Sequence, residues 1–401
     1  MRISTVPGGI TTAAGFRASG VAAGIKASGA LDVTLIAADA PVAAAALFTT
    51  NQVQAAPVRV SRANLAASGG QARAVIVNSG CANACTGREG IETSVATVEA
   101  TAAALGCRPE HVLVASTGVI GVHLPRERML AGARKAAEAL SRDGGTAARG
   151  ILTTDLGPKE HAVRVETPGG AFHVGGIAKG AGMIEPMLAT MLAFLTTDAD
   201  VPAPLLDRAL REVAGRTFNA ITVDGECSTN DMLAVLASGA SPVAIDEASY
   251  STLVAGLEAV ARTLALAIVR GGEGATKLVA IRVTGAVSND DAMRAAKTMA
   301  NSPLVKTAIH GADPNWGRLV AASGRSGARF VLEHALVEVG PVLLFKDGQP
   351  YDEHAPEAER RLQQAEIDIH VDLGAGGSGE ATAWTCDLSA EYVRINGEYR
   401  T

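Results

Sequence analysis

A threonine that follows a small residue, set between a glycine-rich loop and an apolar run, has the makings of a self-generated nucleophile. Residues 179–198 read KGAGMIEPMLATMLAFLTTD, and within them the Ala189-Thr190 bond places a small side chain ahead of a hydroxyl. That layout suits a chain that cuts itself before Thr190 and then uses the freed N-terminal threonine in catalysis. A threonine hydroxyl is a weak nucleophile until a base takes its proton, and the α-amine of the same residue can be that base. Such an amine titrates at roughly 7.7–8.0, so a useful fraction is neutral near physiological pH.

Acyl chemistry at Thr190 needs donors aimed at a developing oxyanion, each worth roughly 3–4 kcal/mol. Thr117 and Gly118, in ASTGVIG, offer a hydroxyl and a backbone N–H at the end of an apolar run; alone, the pair also suits an ordinary strand-end turn. Lys179 stands before Gly180 and Gly182, whose missing side chains let backbone approach a ligand. Its ammonium is a point charge suited to a carboxylate or to the reacting centre. Glu273, in GGEGATK, is a natural partner for a substrate ammonium, or a residue of a surface turn. Other chemistries lack their signatures. Gly374–Gly379 spells GxGxxG, but the 22 residues that remain are too few for a nucleotide-binding unit, so the run reads as a loop. No Gly-Lys-Ser/Thr, HExxH or GxSxG is present. The five cysteines, Cys81, Cys85, Cys107, Cys227 and Cys386, lack paired CxxC spacing and read as reduced thiols. No metal site is expected.

Apolar β-branched runs mark strands at Leu31–Ile36, Ala74–Val77, Val112–Ala115, His161–Glu166, Leu278–Val283, Phe330–Val339, Val342–Phe345 and Ile367–Val371. Asp347-Gly348 signals a hairpin turn. Helical periodicity covers Ser94–Leu105, Arg126–Leu140, Pro204–Val213, Glu247–Val269 and Asp290–Met299, with Ser288 and Asp291 placed as a capping pair. The alternation lacks a regular βαβ rhythm, which points to an α/β layered sandwich with antiparallel pairing. With 48% hydrophobic but 3% aromatic residues, the core must be built of Ala, Val, Leu and Ile. A net charge of −6 gives no reason to expect nucleic acid as a partner. The N-terminal MRISTVPGGITTAAGFRASG lacks the apolar core of a signal peptide, and Leu253–Val269, carrying Glu258 and Arg262, reads as a buried helix. A cytoplasmic protein away from membranes is the expectation.

The motifs KGAGMIEP, ATMLAFLTTDA, TVDGECSTND, GADPNWGR and the terminal INGEYRT, in that order, together resemble the ornithine acetyltransferase family. It is also called the bifunctional glutamate N-acetyltransferase family of arginine biosynthesis. The likeness runs from GFRASGVAAGIK to Thr401. It implies a self-cleaving α-β-β-α sandwich with mixed or antiparallel sheets, of the N-terminal-nucleophile type. Cleavage between Ala189 and Thr190 would give chains 1–189 and 190–401 within one folded unit, and two copies of each in a heterotetramer. The resemblance makes Thr190 the nucleophile and Thr117 and Gly118 the oxyanion hole. It places Thr153, Lys179, Thr190, Glu273, Asn396 and Thr401 on substrate. The implied reaction moves acetyl from N2-acetyl-L-ornithine to L-glutamate through an acetyl-threonine, with ping-pong kinetics and no cofactor. Acetyl-CoA as a second donor, a specialised-metabolite acetyltransferase and a hydrolase of the same architecture are the alternatives. A non-enzymatic amino-acid-binding protein is the alternative of a different class. The sequence departs from the family pattern at Cys81, Glu226-Cys227 and Met187-Leu188, none of which carries an assigned role.

Overall fold

In the computed structural model, which describes residues 1–185 and 191–398, the apolar runs become strands of two mixed sheets. The chain divides into two compact units, Met1–Asn219 with Cys227–Ile268, and Ala220–Glu226 with Val269 onward.

The first unit holds strands β1 (Arg2–Val6), β2 (Phe16–Val21), β3 (Val33–Phe48), β4 (Gln71–Cys81), β5 (Val112–Val119), β6 (Lys159–Thr167), β7 (Gly170–Lys179), β8 (Leu192–Thr197) and β9 (Met232–Ala237). Its helices are α1 (Ala56–Ala67), α2 (Gly87–Leu105), α3 (Arg126–Glu138), α4 (Gly145–Gly150), α5 (Ala203–Arg216) and α6 (Tyr250–Arg270). Among the described residues the sheet runs β1-β6-β7-β8-β9-β3-β4-β5, with β2 also on β3. The pairs β4–β5 and β8–β9 are parallel; the neighbouring β7–β8 and β3–β9 pairs are antiparallel.

Alternation explains the layers. In β4, Ala74 and Ile76 pack with Val98 and Ala102 of α2 and Met129 and Ala133 of α3. The intervening Val75 and Val77 enter a second core with Ile177, Leu192, Phe194 and Met232. Strands β3–β5 and β7–β9 therefore share an inner core, with α2 and α3 outside the former. On the far side, α6 lies against β6 and β7, where a Cβ at Gly256 would sit 2.9 Å from Val165 and 3.3 Å from Val174. The result is the expected α-β-β-α layering within this unit. Apolar enough in composition to cross a membrane, α6 instead buries Leu253, Leu257, Val260, Ala261 and Leu264.

The second unit builds a sheet from β10 (Leu278–Ala286), β11 (Leu336–Val339), β12 (Val342–Lys346), β13 (Gln349–Pro350), β14 (Glu366–Asp372) and β15 (Gly379–Cys386). Its order among the described residues is β13-β12-β11-β14-β10-β15, and β10–β14 is its parallel pair. Helices α7 (Asn289–Ala300), α8 (Pro303–His310), α9 (Trp316–Gly324), α10 (Ala355–Leu362) and α11 (Ala390–Glu398) complete it. Ser288 caps α7 by accepting the Asp291 N–H. Asp347 and Gly348 both take positive φ, 51° and 75°, as a tight hairpin requires. One expected strand is shortened. Phe330–Ala335 turns through a 3-10 segment at Leu332–His334, so β11 begins only at Leu336.

Candidate active site

The oxyanion candidates sit where two parallel strands run out. Register pairs Ser79 of β4 with Thr117 of β5, and Gly80 with Gly118. Gly80 and Gly118 take φ of 100° and 132°. A Cβ at Gly118 would lie 2.4 Å from the carbonyl carbon of Gly80. Only glycine fits, and Thr117 precedes it near the end of the ladder. Asn230 pins this end, its Nδ2 donating to Ala82 O at 2.6 Å and Ser116 O at 2.9 Å. Beneath it, Ser116 donates to Asn78 Oδ1 at 2.6 Å.

Lys179, the last residue of β7, reaches this point. Its Nζ donates to Thr117 Oγ1 at 3.1 Å, and the residue is 8% exposed. Thr153 joins the group through a carboxylate that the sequence reading did not single out. Asp155, its side chain fully buried, accepts the Thr153 N–H on Oδ2 at 3.2 Å and the Gly180 N–H on Oδ1 at 2.7 Å. Lys159 Nζ lies 2.5 Å from the same Oδ1. Burial by itself would raise the Asp155 acid, but Lys179, Lys159 and these hydrogen bonds outweigh it and hold the group below the usual carboxylate range. Lys26 adds another cation. It donates to Leu31 O and Leu152 O, each at 2.8 Å, and burial with the nearby Lys179 charge pushes its ammonium down. The ILTTD motif thus ties a substrate candidate to the lysine loop, and the signal was Asp155 two residues after Thr153.

Asp231 opens β9 and is 2% exposed; its Oδ2 has no hydrogen-bond partner among the described residues. Burial pushes its carboxyl well above the usual range, against opposing contributions from Ser228 and Lys179. Asn230 and Asp231 come from the STND run, whose density of hydrogen-bonding groups was its only sequence signal.

In the second unit Glu273 and Asn396 meet. Asn396 Nδ2 donates to Glu273 Oε2 at 2.9 Å, and Glu273 is 8% exposed. Gly274, with φ of 68°, lets α11 approach, since a Cβ there would lie 2.4 Å from Tyr392 N. The Tyr392 hydroxyl donates to Asp224 Oδ2 at 3.2 Å; burial and then the Asp224 charge push its phenol up. Ala189, Thr190, Thr401 and the Met187-Leu188 departure lie outside the described residues.

The remaining motifs make capping, stacking and packing contacts. Asn315 caps α9 by accepting the Arg318 N–H, and Trp316 stacks on Phe345 with ring centroids 4.8 Å apart. Cys81 is buried in the core beside α2 and α3, its Sγ 3.2 Å from Val122 O. Cys227 rests its Sγ 3.7 Å from Thr49 Oγ1.

Comparison with known proteins places these features in a family. The ArgJ family model matches residues 17–401. The arginine biosynthesis bifunctional protein ArgJ of Symbiobacterium thermophilum is 49% identical over 402 residues, covering 98% of this chain and 99% of that protein. Its namesake from Parasynechococcus marenigrum is 47% identical, covering 99% of this chain and 96% of that one. A crystal structure of arginine biosynthesis bifunctional protein argJ from Bacillus halodurans aligns with a TM-score of 0.51 at 42% identity, covering 52% of this chain and 100% of the solved one.

Proposed function

The chain belongs to the ArgJ family, and from that premise we propose that it cuts itself between Ala189 and Thr190 and transfers acetyl from N2-acetyl-L-ornithine to L-glutamate through Thr190. Membership makes it an acyltransferase of arginine biosynthesis, a glutamate N-acetyltransferase; the proposal concerns how it works.

The observation that carries the mechanism is the contact between Lys179 Nζ and Thr117 Oγ1 above the glycine-only strand end at Gly118. Lys179 pairs with Leu192 across the β7–β8 ladder, so in sequence Thr190 is two residues from the partner of that lysine. The hydroxyl of Thr117 and the backbone N–H of Gly118 serve the oxyanion of each tetrahedral intermediate. Lys179 sets its Nζ beside Thr117, where a positive charge favours a developing negative one.

Acetyl passes from ornithine's α-nitrogen to the Thr190 oxygen, ornithine leaves, and glutamate's α-amine takes the acetyl from the threonine ester. Thr153, Lys179 and Thr401 serve the amino-acid substrate, while Glu273, held by Asn396, takes ornithine's side-chain ammonium. Two copies of each cleaved chain form the working assembly, and acetyl-CoA serves as a second donor in line with the bifunctional name of the relatives.

Intact mass under denaturing conditions tests the first step: two chains meeting at 189/190 are expected, and one full-length chain from folded protein would sink the proposal. Initial rates with acetylornithine and glutamate varied together should give parallel double-reciprocal lines; intersecting lines rule out the acetyl-threonine. Glutamate acetylation with acetyl-CoA alone decides the second donor.

A further inference from the structure

A carboxylate selects a substrate ammonium only if it is held still, and Glu273 lies on backbone with little stiffness of its own. Residues 271–277, which join α6 to β10, read GGEGATK, with glycine on both sides of the glutamate. That freedom must be removed before a charge can be placed to within a fraction of an ångström. Asn396 fixes the end of the Glu273 side chain, but the backbone beneath it needs partners as well.

The turn after β15 supplies them. Antiparallel register sets Leu278 of β10 opposite Cys386 of β15, which brings Asp387 level with Lys277. The Asp387 side chain is fully buried. Its Oδ1 accepts the N–H groups of Thr276 at 2.8 Å and Lys277 at 2.9 Å, and its Oδ2 accepts the Thr276 hydroxyl at 2.6 Å. His310 Nδ1, at the end of α8, lies 2.7 Å from the same Oδ2. Ser389 Oγ donates to Gly274 O at 2.6 Å, on the residue next to Glu273. Lys277 adds a further tie, its Nζ donating to Ile309 O at 2.6 Å in α8. The segment is thus held at Gly274 and again at Thr276 and Lys277, in both places by the turn that carries Asp387 and Ser389.

We propose that Asp387 and Ser389 are positioning residues that hold Glu273 to receive the ornithine side-chain ammonium, so that they serve the acetyl donor and not the acceptor. The inference rests on the role given to Glu273 above. In a ping-pong reaction kcat/KM for acetylornithine reports the first half-reaction and kcat/KM for glutamate the second. Glutamate carries no side-chain ammonium, so a displaced Glu273 weakens the first half-reaction selectively.

Both values are measured on purified variants. Glu273→Gln sets the reference: kcat/KM for acetylornithine should fall at least about tenfold, as for a lost hydrogen bond to a charged group, with that for glutamate falling far less. Asp387→Ala should show the same split, and in the Glu273→Gln background it should add no further loss. Ser389→Ala, which removes only the bond to Gly274, should show the split more weakly, and it decides the matter if Asp387→Ala does not fold. Equal falls in the two half-reactions, a further loss on top of Glu273→Gln, or wild-type values in the folded variants would overturn the inference while leaving Glu273 in place. An acetylornithine value untouched by Glu273→Gln overturns the reading of Glu273 itself, and the inference with it.

Discussion

Thr117 and Lys179 form a contact between a hydroxyl and a buried cation, and their contributions separate by substitution. Thr117→Val keeps the branched shape that a strand end accepts and removes only the hydroxyl. Because a lost oxyanion donor costs about 100- to 1000-fold in kcat, that fall is expected with KM nearly unchanged. A loss under about tenfold in steady-state assays would remove Thr117 from the oxyanion hole. Asp155 acts differently, through the lysines and backbone it holds. Its acid is depressed, so its stabilising effect is present above its unfolded value of about 4 and fades as pH falls through the lower folded value. Asp155→Asn leaves Lys159 and Lys179 without their buried counter-charge, which typically costs about 3–5 kcal/mol. Urea unfolding at neutral pH and near pH 3 should show a large difference between wild type and variant at the first and a smaller one at the second.

At the scale of elements, the ends of β4 and β5 are built on glycines that do different work from those capping helices. Gly118→Ala places a Cβ 2.4 Å from the Gly80 carbonyl carbon, in a backbone conformation that L residues avoid. The strand ends must separate, so cleavage and turnover should both be lost and the melting temperature should fall. Gly106 ends α2 with φ of 66° and has nothing within 4 Å of its Cβ position. Gly106→Ala should cost only the left-handed strain, roughly 1–2 kcal/mol, with kcat unchanged. Equal losses of activity in the two variants would refute the special role of the β4–β5 end. The same physics explains why β7 was not legible in the sequence. GAFHVGGIAK is absent from the expected strands, since Gly175 and Gly176 break the apolar pattern. In the fold a Cβ at Gly175 would lie 1.9 Å from Gly9 O, and at Gly176 2.6 Å from Leu195. These glycines serve close packing of a strand flanked by β6 and β8, and sequence periodicity carries no trace of that.

Taken over the molecule, the proposed cut lies in the chain between two paired strands of the first compact unit, not between the two units. Strands β7 and β8, on either side of the cut, pair antiparallel from Lys179–Leu192 to Val174–Thr197. Beyond β8 lies β9, which pairs with β3 of the N-terminal segment. Fragments 1–189 and 190–401 therefore share one ladder and the inner core of the first unit. They should elute together in native gel filtration at any dilution and separate only in denaturant. Dissociation in dilute buffer would contradict a cut within this sheet.

The sequence alone determined the class of fold and most of the longer helices, and it named a nucleophile candidate. The oxyanion roles of Thr117 and Gly118 came from the family resemblance, whereas the helices and the candidate rest on local patterns, apolar residues at helical spacing and a small residue before a hydroxyl. The capping Ser288 and the Asp347-Gly348 hairpin were legible for the same reason, since partner and signal lie within a few residues. Only the tertiary structure decided that Lys179 meets Thr117 across 62 residues of chain, and that Asp155 joins Thr153 to Gly180. It also decided that Asp231 is buried with an oxygen left over. The reason is physical. Burial and ion pairing set the protonation of a carboxyl, and both depend on atoms brought together from distant strands.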